Sequence, residues 1–181
     1  MRGVFGERIG VPLTFSNFVK HGASILSQVA LLALIAVAFT LRTPQVTGVS
    51  MEPLIAPGEI VLIDVLTYRL WRPHRGDIIA FHHDDGVPRL YVKRIIGLPG
   101  DRITIRDGVI FRNAERVQEG YVRYRDHRSA PSITVPPNSY YVLGDNRSSS
   151  EDSRDWGFVD QSRIVGRALV ALWPPGRIET L

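Results

Sequence analysis

The chain has 181 residues, a formal net charge of +4 and no cysteine. The lack of cysteine excludes a disulfide framework, a thiol nucleophile and any thiolate-bound metal. A basic balance suits nucleic acid or an anionic membrane surface, but no Lys/Arg-dense stretch is interleaved with aromatics, so a bilayer is the expected partner and nucleic acid is not.

Residues 1–22 carry Arg2, Arg8 and Lys20 against one acid, Glu7. Residues 22–41 carry no charge, and their centre reads Val29-Ala30-Leu31-Leu32-Ala33-Leu34-Ile35-Ala36-Val37-Ala38-Phe39. A helix of that length rises about 30 Å, the thickness of the hydrocarbon core. Three positive charges before the run and only Arg42 just after it predict a cytoplasmic N-terminus. A cleaved secretory signal is the competing reading. It would have a shorter apolar core and a small-x-small cleavage site, which Thr43-Pro44-Gln45 does not offer. The expected organisation is therefore a basic cytoplasmic segment over 1–22, a transmembrane helix over 23–41 and an extracytoplasmic domain over 42–181. The last, at roughly 130 to 140 residues, is large enough for a core.

After Pro44 short β-branched segments alternate with Gly, Pro and Asp. Residues 60–65, 77–82, 90–96, 102–106, 109–112, 139–143 and 164–173 read as strands. Asp85-Gly86 and Asp107-Gly108 are hairpin signals, Pro99-Gly100 marks another turn, and Asn113-Ala114 is a weaker one. No helical stripe follows residue 42. The expected fold is mostly β, with coiled antiparallel sheets or a partly open barrel. The polar stretch 113–138 reads as a small excursion from the main sheet. Tyr68-Arg69-Leu70-Trp71 mixes aromatic and basic residues, a composition that suits the bilayer interface as well as core packing.

Three segments bear on chemistry. Ser50 lies in Gly48-Val49-Ser50-Met51-Glu52-Pro53, a few residues beyond the apolar run. A serine hydroxyl is a poor nucleophile until a base takes its proton. Lys93, in Tyr91-Val92-Lys93-Arg94, is a candidate base. Alternation puts Tyr91, Lys93 and Ile95 on one strand face, and burial among apolar neighbours disfavours the ammonium. Unburied, a lysine is neutral in roughly one molecule in 2,500 at pH 7. By residue type alone, an exposed edge-strand lysine and a turn serine are the commoner readings of these positions. The third segment, Gly144-Asp145-Asn146-Arg147 through Asp152-Ser153-Arg154-Asp155-Trp156-Gly157, is a long polar turn after an apolar strand. By itself it reads as a solvated loop, though loops on a rigid sheet are also where sites are built.

Together these segments, with Arg75-Gly76-Asp77-Ile78-Ile79 and Lys93-Arg94-Ile95-Ile96-Gly97-Leu98-Pro99-Gly100-Asp101, resemble bacterial type I signal peptidase, a membrane-bound Ser/Lys protease. The resemblance implies that Ser50 is the nucleophile, Lys93 the general base and Ser150 the serine that orients the lysine. It implies that Arg94 with Asp145, and Asp152 with Arg154, brace the site. Val46, Met51, Ile55, Tyr91 and Val92 would line shallow pockets for small side chains before the cut. The position two before the nucleophile, a serine in some members, is Gly48 here, so backbone N–H groups of Gly48 and Ser50 must bind the oxyanion. Leu54 stands where threonine is usual, which implies a packing change. The partners implied are signal-peptide-bearing preproteins and the lipid bilayer; no cofactor is implied.

Alternatives come from the same and other classes. A specialised peptidase of the pilin-conjugation type uses similar chemistry on fewer substrates. A self-cleaving repressor of the LexA type would have a DNA-binding domain in place of the apolar helix. An inactive membrane-tethered β module would bind peptides without cutting them. His82-His83-Asp84-Asp85 could suggest a metal, but it lacks a second ligand cluster at useful spacing. No Gly-x-Ser-x-Gly elbow, Walker or dinucleotide glycine pattern occurs.

Overall fold

The computed structural model describes residues 15–84, 86, 88–174 and 179–181. Residues 1–14 and Asp85 lie outside this set, so most of the basic N-terminal segment and the first hairpin signal are not described. The chain divides into two compact units, residues 1–39 and 40–181.

The described part of the first unit belongs to one α-helix, α1 (Phe15–Thr40). Its run of Ala, Leu, Ile and Val is uncharged from Gly22 to its end. Counting the described residues only, no helix is long and apolar enough to cross a membrane.

The second unit is mostly β, and its strand pairings among the described residues are all antiparallel. Its strands are β1 (Leu41–Arg42), β2 (Ile60–Asp64), β3 (Ile78–Asp84), β4 (Pro88–Gly97), β5 (Arg102–Arg106), β6 (Val109–Arg112), β7 (Glu115–Arg116), β8 (Ala130–Thr134), β9 (Ser139–Leu143), β10 (Val159–Asp160), β11 (Ile164–Trp173) and β12 (Glu179–Thr180). The larger sheet runs β1-β2-β11-β3-β4-β9-β10, with β12 on β11; the smaller runs β7-β6-β5-β8. β2 and β5 show the alternating burial that period-2 apolar patterning produces. Register shifts in β11, between Ala168 and Val170 and between Ala171 and Trp173, mark bulges against β2, devices that bend a strand and increase sheet twist. The path of the larger sheet stays open, since β1 and β10 do not pair with each other.

Three apolar clusters fill the domain. One joins Met51, Ile55, Val61, Ile63, Ile78, Ala80 and Ala168. A second, under the smaller sheet, joins Ile96, Ile103, Ile105, Ile110, Val135, Tyr141 and Leu143. The third joins Ile79, Phe81, Ile95, Tyr140, Val142 and Val159.

Several sequence expectations need correction in detail. β3 runs to Asp84, two residues past the expected end at 82, so His83 also sits within the strand. His83 stacks on Trp156, with ring centroids 4.5 Å apart. The stretch 113–138 lies off the larger sheet but is not without strands: it contributes β7 and β8 to the smaller sheet, and β8 pairs with β5 through Ile103–Ile133. Its Ala-Pro-Ser-Ile-Thr sequence hides the strand because Pro131 is a poor ladder residue. Two one-turn helices, α2 (Thr67–Leu70) and α3 (Ser153–Trp156), also lacked a periodic signal. Tyr68-Arg69-Leu70-Trp71 spans α2, and Leu70 and Trp71 are 61% and 63% exposed. At the β5–β6 hairpin both turn residues are left-handed, Asp107 at φ 46° and Gly108 at φ 74°, the geometry Asp-Gly favours.

Candidate active site

Ser50 stands where the chain turns sharply after an extended approach. The Glu52 N–H bonds the Val49 carbonyl at 3.1 Å, and the Ile55 N–H bonds that of Met51 at 3.0 Å. Met51 and Ile55 are buried in the first cluster, which pins the turn from below and leaves Ser50 at the surface of a cleft.

Lys93 reaches the same point from β4, paired in register with Ile79 of β3. It is 3% exposed. Its Nζ lies 2.5 Å from Ser50 Oγ. Burial pulls the amine down from 10.5 to about 8; the carboxylate of Asp152 opposes this and the guanidinium of Arg154 reinforces it, while Glu151 and Asp145 act more weakly against it.

The polar turn 144–152 closes the site from the other side. The Asp152 carboxylate is fully buried and accepts five hydrogen bonds. Arg154 gives it Nε and Nη2, each at 2.7 Å, Ser150 gives Oγ at 2.7 Å, and Gly144 and Arg154 give backbone N–H groups at 3.0 and 3.2 Å. Despite burial, these donors hold its carboxyl below the usual range. Asp145 is likewise gripped by Arg94, Nε–Oδ1 at 2.9 Å and Nη2–Oδ2 at 2.7 Å. Two bidentate pairs therefore flank Lys93, and burial outweighs the pull of their carboxylates on the amine. No hydrogen bond between Ser150 and Lys93 is present among the described residues; the Ser150 hydroxyl proton is given to Asp152.

Gly144 is a required glycine. A Cβ there would fall 2.5 Å from the Ser50 carbonyl oxygen and 2.7 Å from Ser150 Cβ. The Asn146 N–H donates to the Ser50 carbonyl at 2.9 Å and its Nδ2 to the Val49 carbonyl at 3.2 Å. Both carbonyls that flank the Ser50 N–H are thus held, so the peptide carrying that N–H has a fixed orientation. The N–H groups of Ser50 and Gly48 bond no acceptor among the described residues.

The cleft holding Ser50 and Lys93 has a volume of about 1130 Å³. Val46, Met51, Tyr91, Val92 and Ser150 line it. Ile55 does not; it is fully buried and backs Met51 in the first cluster. Its place at the end of the nucleophile turn suggested a wall, but the turn folds it inward. Along the cleft, β4 before Arg94 has a strand partner on one side only. β3 pairs with it throughout, whereas β9 pairs only from Arg94 onward.

Sequence reasoning missed Glu119 and Arg147. They form a buried bidentate pair, Nη2–Oε1 at 2.5 Å and Nη1–Oε2 at 3.1 Å, with side chains 3% and 2% exposed. Arg147 Nε also donates to the Gly144 carbonyl at 3.0 Å. The nearby Tyr121 ring lies 4.2 Å beneath the Arg94 guanidinium. The polar stretch between β7 and β8 thus clamps the turn that touches Ser50. Nothing local in sequence joins residues 28 positions apart.

The profile of the family described as "Signal peptidase, peptidase S26" matches residues 19–173. A probable signal peptidase I-2 of Synechocystis sp. is 33% identical over 171 residues, covering 92% of this chain and 78% of the relative. A signal peptidase I of Bacillus caldolyticus is 40% identical over 143 residues, covering 71% and 78%. The crystal structure of a signal peptidase I from Enterococcus faecalis aligns with 54% of this chain and 97% of its own, at 34% identity and a TM-score of 0.47. The chain is a serine peptidase, a hydrolase. It belongs to the signal peptidase, peptidase S26, family.

Proposed function

We propose that the chain is a membrane-anchored endopeptidase that removes signal peptides from exported preproteins through Ser50 and Lys93. The observation that carries this is the 2.5 Å approach of a buried Lys93 amine to the Ser50 hydroxyl. With the amine neutral, the hydroxyl donates to Nζ. Ser50 Oγ attacks the scissile carbonyl as Nζ takes its proton, and the N–H groups of Ser50 and Gly48 receive the oxyanion. The C–N bond breaks, Nζ returns the proton to the leaving amine, and an ester to Ser50 remains. A water, deprotonated by the same amine, hydrolyses that ester and restores the hydroxyl. Ser150, Asp152, Arg154, Asp145 and Arg94 hold the base and the turn around it without touching reacting atoms.

The substrate would lie extended along the cleft. Main-chain pairing along the edge of β4 away from β3, before Arg94, supplies affinity. The apolar wall of Val46, Met51, Tyr91 and Val92 accepts small residues before the cut. In this reading residues 1–22 are cytoplasmic, 23–41 cross the bilayer and 42–181 lie outside. The uncharged run 22–41 and the positive charges before it support this.

The test is incubation of the full chain in detergent with a preprotein and mass mapping of the products. Cleavage at one small-x-small junction, lost in Ser50→Ala, is expected; an uncut preprotein, or equal cutting by Ser50→Ala, refutes the reading. In membranes, the full chain is expected to stay in the pellet after an alkaline wash, and its release would remove the anchor from the proposal. The pH dependence has a definite sign. Only the neutral amine accepts a proton, so kcat/KM rises with pH and half-saturates near the Lys93 value of about 8. A rate independent of pH between 6 and 9 would exclude Lys93 as the base.

A further inference from the structure

The cleft that holds Ser50 and Lys93 is lined by residues of different chemistry. Val46, Leu90 and Val92 form an apolar wall, packed against the cluster that holds Met51. Ser148, Ser149 and Arg125 line it as a second, polar wall. Backbone hydrogen bonds tie this second wall to the nucleophile. The Ser50 carbonyl accepts from Asn146, and the next N–H, that of Arg147, donates to the Tyr124 carbonyl at 2.8 Å. Arg125 follows directly and is exposed.

The other arginines around this wall are committed. Arg128 is held by Asp126 and Asp155, Arg147 by Glu119, and Arg154 by Asp152 and Asp126. Arg125 has no ion pair or hydrogen bond among the described residues. The same pairs use up the carboxylates of Asp126 and Asp155. Glu151 also lines the cleft, and its charge acts on Lys93.

The inference rests on the peptidase reading. If small apolar residues before the cut occupy the Val46 wall, the residues after it run past Ser148, Ser149 and Arg125. We propose that Arg125 is a specificity residue that favours an acidic side chain among the first three residues of the released protein. A guanidinium is suited to this, since it presents a fork of donors to a carboxylate. A lysine at the same substrate position meets repulsion, and a neutral residue meets neither effect. Arg125 lies in the polar stretch between β7 and β8, outside the segments that carry the nucleophile and base.

The test uses the full chain in detergent and one preprotein carrying Asp, Ala or Lys singly at each of the first three positions after the cut. At one of these positions the wild type should cut the Asp form about fivefold better than the Lys form by kcat/KM, the scale of an exposed ion pair. Arg125→Ala should bring that ratio within twofold of unity while cutting the Ala form at the wild-type rate. Arg125→Glu should invert it, and raising the salt should compress the wild-type ratio. A ratio unchanged in Arg125→Ala, or no Asp preference in the wild type at any position, overturns the assignment and leaves the peptidase reading intact. Failure of the wild type to cut the Ala form overturns both.

Discussion

Lys93→Met should lose preprotein cleavage by about 10⁴-fold or more while making the protein more stable. The first effect follows from removing the base that activates Ser50; single members of such catalytic units cost this much because the rest of the machinery cannot act without them. The second follows from the same burial. The amine titrates at about 8 in the folded protein against 10.5 when unburied, so the unfolded chain binds more protons between these values. Stability contributed by this group therefore rises with pH across that window, and below pH 8 the full penalty is present. At about 1.4 kcal/mol per pH unit, methionine should relieve ~3 kcal/mol at pH 7. The gain should fade to nothing above pH 10.5. Chemical unfolding of both proteins at pH 7 and pH 10.5, beside the cleavage assay, measures this. A variant that is inactive and also less stable at pH 7 would mean that Lys93 serves packing and not proton transfer. Lys93→Arg should be as inactive as methionine, because guanidinium stays protonated.

Glu119→Ala should destabilise the catalytic domain by about 3–5 kcal/mol, the cost of leaving a buried cation without its partner. Arg147, 2% exposed, would keep its bond to the Gly144 carbonyl but lose both bonds to the carboxylate. Since Arg147 follows Asn146, which holds the carbonyls on either side of the Ser50 N–H, what remains folded should also cut more slowly. The double variant Glu119→Leu with Arg147→Met should recover much of the stability, because a buried pair replaced by apolar groups of similar volume is often neutral. Thermal melts of the three proteins settle it. A Glu119→Ala melt matching wild type would show that the clamp is not under load.

The chemistry proposed here was visible in sequence at particular residues for a physical reason. Ser50, Lys93 and the 144–157 turn lie in short segments whose residue order is itself distinctive. The strands with regular alternation, such as β2 and β5, were also legible, because period-2 burial leaves a local trace. β8 was not, since Pro131, Ser132 and Thr134 mask it until β5 is there to pair with it. Ile55 shows the opposite failure: it sits beside the nucleophile in sequence, yet the turn sends it into the core.

Residue order alone determined the uncharged run 22–41 and the antiparallel β character, because each depends on neighbours within a few positions; Ser50 and Lys93 were singled out by the resemblance of several segments taken together, since alone they read as a turn serine and an edge-strand lysine. Only the tertiary structure decided that a lysine 43 residues away from a serine would lie 2.5 Å from it, dry enough to titrate near 8. Only the tertiary structure joined Glu119 to Arg147 and left Arg125 without a partner among the described residues. Desolvation and ion pairing are properties of the space around a group, and that space is filled by chain from elsewhere.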